Sequence, residues 1–233
     1  MAKHNVWMSV SDLMTGLMVI FLFIAVAYIK RVQENQTVLR DFVETKTNLH
    51  DKLVNQFSDE IDQRILTFDG DLTMRFNNAK VNFASGSYAL TPEFASILSE
   101  VIPRYFDIML HNNKFVDEIS EIRIEGHTDD EPAPRYGSDP FISNVYLSQL
   151  RTLEVMKYIW NNIVPRYERQ DRLRIQYWLT ANGMSYSRSL DDDGSFSYLT
   201  KKAINRDMSR RVEFRIITRS DKLLEEFVKG KMK

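Results

Sequence analysis

WMSVSDLMTGLMVIFLFIAVAY, running from Trp7 to Tyr28, divides this chain into a membrane part and a soluble part. At 1.5 Å rise per residue the stretch makes a helix of roughly 33 Å, enough to cross a hydrocarbon core of ~30 Å. Trp7 and Tyr28 close the two ends, where amphipathic rings favour the headgroup level. No charge occurs from Leu13 to Ile29. One acid lies inside the span, Asp12, about five residues or ~7.5 Å beyond Trp7. A carboxylate there costs about 2.5 kcal/mol or more in lipid, so it must face a protein partner, a watery path or the membrane edge. A secretory signal peptide competes for the same residues: Lys3 and His4, an apolar run, then Ala25-Val26-Ala27 as a small-x-small cleavage site. Against it stand Asp12, which interrupts the apolar run, and Lys30-Arg31, which follow without a polar spacer.

The rest of the 233 residues is charged and soluble in character, and the net charge of −1 offers no bulk attraction for nucleic acid. With no cysteine, disulfides, thiolate metal sites and cysteine nucleophiles are excluded. Lys3 and the amino terminus nearly balance Lys30 and Arg31, so flanking charge does not orient the span.

From residue 30 to 68 the chain reads as a helical linker. Val32, Leu39, Phe42, Leu49, Leu53, Phe57 and Ile61 fall at spacings of three, four and seven. Two readings remain open: a short parallel coiled coil, whose heptad Lys46 breaks, or an amphipathic helix lying on its own domain. Asp69-Gly70 then punctuates the chain, and a compact domain is expected over 69–220, followed by a tail over 221–233.

Within that domain Leu72–Phe76 and Lys80–Phe83 read as short strands around Asn77-Asn78. Thr91-Pro92-Glu93 opens a helix with Thr91 as N-cap, and Pro103 is expected to kink or end its first part. Glu118–Glu125 alternates as a strand. Ser143–Ile163 reads as a helix with Leu147, Leu150, Val155, Ile159 and Trp160 supplying core contacts. Arg172–Thr180 and Arg211–Ile217 read as two more strands. The order β-α-β-α-β, a long loop and a last β implies an α+β sandwich with helices on one face of a sheet. The loop carries Asp191-Asp192-Asp193-Gly194, read as a solvated acidic turn, with a calcium site as the alternative although no EF-hand pattern follows.

Two sets of motifs resemble a known family. Phe83-Ala84-Ser85-Gly86-Ser87-Tyr88-Ala89-Leu90-Thr91-Pro92, then Glu125-Gly126-His127-Thr128-Asp129-Asp130, then Asn144, Leu147-Ser148 and Arg151, then Ser209-Arg210-Arg211-Val212-Glu213-Phe214 resemble OmpA-like peptidoglycan-binding domains, with Ser209 where Asn is usual. Independently, an aromatic followed by Ser11-Asp12-Leu13-Met14-Thr15 resembles the membrane helix of MotB-like stator subunits. The very short amino-terminal head and the lack of a long flexible linker fit best the MotB-like subunit of Zorya anti-phage defence systems. A flagellar stator subunit and a passive membrane-to-wall tether are the alternatives, and an intramembrane acid has no use in a mere tether.

The resemblance implies a single-pass protein of the bacterial inner membrane, amino terminus in the cytoplasm and domain in the periplasm. It implies a homodimer inside a ring of a multi-spanning MotA-like partner. Asp12 would carry the ion, with Ser11 and Thr15 as neighbouring hydroxyls; a proton is the default for a lone carboxylate, and sodium the alternative. It also implies a pocket for the diaminopimelate of cell-wall peptides, a zwitterion. Asp129 would take its amine and Arg151 its carboxylate, with Thr128, Asn144 and Leu147 shaping the pocket and Arg210 or Arg211 adding a contact. The inserted loop Glu131–Ile142 is expected to fold aside. No resident cofactor or metal is expected: His127 with Asp129 and Asp130 finds no second histidine, Gly-x-Ser-x-Gly or phosphate loop, so no enzymatic activity is expected either.

Overall fold

The computed structural model describes residues 3–77, 83, 86–219 and 221, and divides into two compact units, Met1–Lys46 and Thr47–Lys233. The first unit is helix α1 (Lys3–Gln56) up to Lys46. Within it Val10–Gln33 is long and apolar enough to cross a membrane, and every side chain from Val10 to Arg31 is exposed. An apolar helix with no protein around it leaves its large side chains to lipid or to partner helices.

The second unit begins 22 residues before the expected Asp69. Leu49, Leu53 and Phe57, from the end of α1 and the turn after it, are almost fully buried in the same core as the sheet. The later half of the linker stripe is therefore an amphipathic helix packed on its own domain and cannot serve as a coiled-coil seam. The side chains of Leu39 and Phe42 lie outside the described residues. Replacing Leu53 by Ala should cost about 2–5 kcal/mol of stability in chemical unfolding of the detergent-solubilised chain. Val43→Ala, at an exposed position, should stay within about 0.5 kcal/mol of the parent.

After α2 (Ser58–Asp62), strands β1 (Leu66–Phe68) and β2 (Thr73–Phe76) form an antiparallel pair. The strand expected over Lys80–Phe83 lies outside the described residues except Phe83, which bridges Leu90. Helix α3 (Pro92–Leu110) starts as its sequence requires, with Thr91 Oγ1 accepting from Phe94 N at 3.1 Å. It does not end at Pro103. Val101, Ile102, Tyr105 and Phe106 are buried on both sides of the proline, and burial of that face outweighs the lost helical hydrogen bond.

Helix α4 (Asn113–Glu118) leads into β3 (Ile119–His127), and α5 (Pro140–Asn162) follows. Leu147, Val155 and Ile159 are buried on α5 as expected, but Leu150 is half-buried and Trp160 is 41 % exposed. The strand expected over Arg172–Thr180 is instead α6 (Arg169–Trp178) followed by β4 (Leu179–Gly183). Leu173, Ile175 and Tyr177 alternate like a strand, yet only Ile175 of the three is buried; the buried pair Ile175 and Trp178 has helical spacing.

The chain then makes a long connection containing α7 (Ser197–Thr200) and α8 (Arg206–Ser209). Its acidic turn is held by the protein itself. Asp191 Oδ1 accepts from the backbone of Asp193 and Ser195 at 3.0 Å each, Asp192 takes Asn205, and Asp193 takes Lys202. Finally β5 (Arg211–Thr218) enters the middle of the sheet, giving the order β1-β2-β5-β3-β4, antiparallel except for β3–β4. Along β5, Val212, Phe214 and Ile216 join the core with Met74, Phe76, Ile122 and Ile124. Arg211, Glu213 and Arg215 alternate onto the opposite, charged face. The domain is α+β, as expected.

Candidate functional site

Strand β3 passes very close to α5. A Cβ on Gly126 would stand 2.7 Å from Ser148 O and from Thr152 Cγ2, and one on Gly183 of β4 would stand 2.5 Å from Gln149 N. Glycine at these positions lets the strand ends lie against the helix backbone, so that residues after Gly126 meet the inward face of α5. Gly126→Ala should destabilise the domain by about 1–3 kcal/mol, read as a lowered unfolding midpoint.

Just past β3, Thr128 N donates to Ser185 O at 3.0 Å, and Asp129 Oδ1 accepts from Glu131 N at 3.2 Å, turning the chain. Helix α5 is capped by Asp139, whose Oδ1 accepts from Ile142 N at 2.8 Å. Asn144, Leu147 and Arg151 then share one face at helical spacing. Asn144 Nδ2 donates to Glu131 O at 2.8 Å and Pro140 O at 3.0 Å, tying the inserted loop to the helix.

These elements enclose a cleft of about 160 Å³, lined by Thr128, Asp129, Asn144, Leu147, Arg151 and Arg210. The structure thus brings together six of the seven residues expected there. Arg211 is the exception. It begins β5, where its side chain turns to the charged sheet face and bonds Glu213, Ser209 O and Arg188 O. The inserted loop does not fold aside: Glu131, Pro132, Ala133, Pro134, Arg135 and Tyr136 form one wall, and Tyr136 Oη donates to Gly86 O at 3.3 Å. Sequence reasoning missed this wall, whose only signal was the length of the insertion.

The polar groups in the cleft are unequally satisfied. Asp129, 5 % exposed, is bonded by Arg210 Nη1 at 2.5 Å, and Arg210 also pairs with Asp207. Arg151 is equally buried; its Nε donates to Ser87 O at 2.9 Å and its guanidinium lies 5.0 Å from the Phe83 ring centre. Among the described residues no carboxylate comes within 4.0 Å of it. Burial pushes its pKa down to about 10, with the Asp129 charge opposing and the Arg210 charge adding, so it remains a cation at neutral pH. Among the described residues Thr128 Oγ1, which is buried, has no hydrogen-bond partner. A buried cation with no directly paired carboxylate among the described residues, beside an unbonded hydroxyl and a nearby Asp129, suits a ligand bearing both charges. At the rim, Arg206 pairs with Asp130 at 2.8 Å and Glu131 at 3.2 Å, in solvent.

The other candidate residues stand on α1. Asp12 is exposed within the apolar stretch, and Thr15 Oγ1 donates to Ser11 O at 2.8 Å, one turn back.

Residues 82–195 match the model of the OmpA family. The chain is 29 % identical to the Zorya protein ZorB of Escherichia coli, over 95 % of this chain and 92 % of that protein. The crystal structure of a MotB-like protein from Desulfovibrio vulgaris superposes with a TM-score of 0.50 at 23 % identity, covering 76 % of this chain and 93 % of that one. At that identity the likeness is one of fold. A family-model match, a shared fold and a relative of nearly full length converge: this chain is similar to ZorB along nearly its whole length, and its soluble unit has the fold of the MotB-like structure and resembles the OmpA family over residues 82–195.

Proposed function

We propose that this protein is a cell-wall-anchored stator subunit of an ion-driven membrane motor, working in Zorya-type anti-phage defence. In this reading α1 crosses the inner membrane with its amino terminus in the cytoplasm. Two copies sit inside a ring of a multi-spanning MotA-like partner, and Asp12 binds and releases a proton. Apolar surroundings disfavour a charged carboxylate, so each proton exchange changes what the neighbouring helices must solvate. The domain, in the periplasm, holds diaminopimelate-containing peptides of the wall, giving the motor a fixed point.

The observation that carries the reading is that Asp129 and Arg151, 22 positions apart in sequence, line one cleft with the guanidinium free of carboxylate partners among the described residues. A ligand carboxylate on Arg151 relieves a buried charge, and a ligand amine shares Asp129 with Arg210. The test is sedimentation of the detergent-solubilised full chain with purified peptidoglycan sacculi. The chain should pellet with sacculi and stay in the supernatant without them; failure to pellet would remove the wall-anchoring half of the proposal.

A further inference from the structure

The charged face of the sheet, away from the ligand cleft, gathers a second group of buried polar residues. Glu125 on β3 and Glu213 on β5 are direct cross-strand partners, and His127 lies two positions further along β3 on the same face. They are only 4 %, 6 % and 2 % exposed. Like charges placed opposite one another in a sheet repel, so something must hold them.

The outer oxygens are accounted for. Glu213 Oε1 accepts from Arg75 Nε at 2.7 Å and Arg211 Nε at 2.5 Å, and Arg123 Nη1 stands 3.7 Å from Glu125 Oε1. The inner oxygens are different. Glu125 Oε2 and Glu213 Oε2 face His127 Nε2 at ion-pair range, 3.6 and 3.4 Å, and among the described residues neither buried imidazole nitrogen makes a hydrogen bond of good geometry. A charge-assisted N–H···O bond would close to about 2.7–2.9 Å. The observed separations are instead close to the ~3.3 Å ligand-to-ligand edge of a tetrahedron with bonds of about 2.0–2.1 Å. One ligand atom from each residue lies within 4.8 Å of the others.

We propose that Glu125, His127 and Glu213 form a divalent-cation site of the zinc class, with one imidazole nitrogen and one oxygen of each carboxylate as ligands. All three residues, with Arg75, Arg123 and Arg211, line an open cavity of about 560 Å³ on this side of the sheet, which offers an entry path. One nitrogen and two oxygens at this spacing suit a four-coordinate first-row ion better than calcium, which takes six to eight oxygens, or magnesium, which keeps an octahedral shell. The arginines act as the outer shell, holding the carboxylates in orientation. They also repel the ion and so lower its affinity. A bound ion would clip β3 to β5 immediately before Thr128 and Asp129, making it a brace for the cleft floor.

The rival occupant of the gap is a proton, making His127 an imidazolium between two carboxylates, and one experiment separates the two. The tag-free full chain in detergent, stripped with EDTA, is titrated with Zn²⁺ at neutral pH by calorimetry and thermal unfolding. One saturable equivalent is expected, with a rise in Tm of about 5–10 °C when free Zn²⁺ exceeds its Kd about a hundredfold. His127→Gln and the isosteric Glu125→Gln should each abolish both signals, and Ca²⁺ or Mg²⁺ should not replace Zn²⁺. Absence of saturable uptake by the parent chain would overturn the site and leave the imidazolium bridge. Uptake unchanged in either variant would assign the ion elsewhere and overturn it equally; because Glu125→Gln alters no ring and little volume, it decides even where His127→Gln fails to fold.

Discussion

Asp12→Asn is expected to leave the protein folded and assembled with its partner while abolishing ion flow and the biological output driven by it. Asn has nearly the same shape and can keep the hydrogen bonds of a neutral carboxyl, but it cannot take up and release a proton. Asp12 is the single acid in the apolar stretch Val10–Gln33, and no described side chain of the chain itself covers it. A carboxylate at the bilayer centre costs about 2.5 kcal/mol or more, and the cost falls toward the edge. Its presence in a bare helix has a physical reason if a partner, a watery path or the membrane edge receives it, and the substitution separates the first two from the third. The energy available is set by the membrane: a full charge crossing gains about 2.3 kcal/mol per 100 mV. The check is ion flux in cells or vesicles containing this chain and the proposed multi-spanning partner, alongside phage protection. Full flux and protection by the Asn variant would reject Asp12 as the ion seat. Thr15→Ala should have a much smaller effect, because the Thr15 hydroxyl already donates within the helix to Ser11 O.

The second large effect is expected at the cleft. Asp129→Ala combined with Arg151→Ala should eliminate co-sedimentation with sacculi. Each substitution removes a charge-assisted interaction of about 1.5–3 kcal/mol, or roughly ten- to more than hundredfold in affinity. Arg151 is the sharper probe. Its Nε is already bound to Ser87 O and its plane rests against Phe83, which leaves its terminal nitrogens directed by fixed contacts. Arg151→Lys keeps the charge but loses the planar fork, so binding should fall without vanishing. Asp129→Ala acts less simply, because it also releases Arg210. Sedimentation unchanged in the double variant would move the wall contact to another surface.

How much of this was legible in the sequence depends on what each feature's neighbours are. The Thr91-Pro92 helix start, the β3 alternation and the α5 helix depend on local chemistry and the period of a single element; all three elements form, but of the α5 stripe only Leu147, Val155 and Ile159 are buried. The Asn144, Leu147 and Arg151 face follows from helical spacing once the helix is located. Helix α6 was not legible because Leu173, Ile175 and Tyr177 mimic strand alternation, and only burial distinguishes the two periods. The domain start at Thr47 was hidden for a related reason: the Leu49 and Leu53 stripe announces a partner surface without saying whose surface it is. The cleft wall from Glu131 to Tyr136 and the Glu125–His127–Glu213 group depend on contacts distant in sequence. Only the β3–β5 register, which pairs Glu125 with Glu213, brings the latter together.

The wall-anchoring claim is tested most directly by calorimetric titration of the detergent-solubilised full chain with a soluble diaminopimelate-containing stem peptide. A single saturable site is predicted, lost in Arg151→Ala and weakened in Arg151→Lys. A parent chain that takes up no peptide, or an Arg151→Ala variant that binds it as the parent does, would contradict the assignment of the cleft.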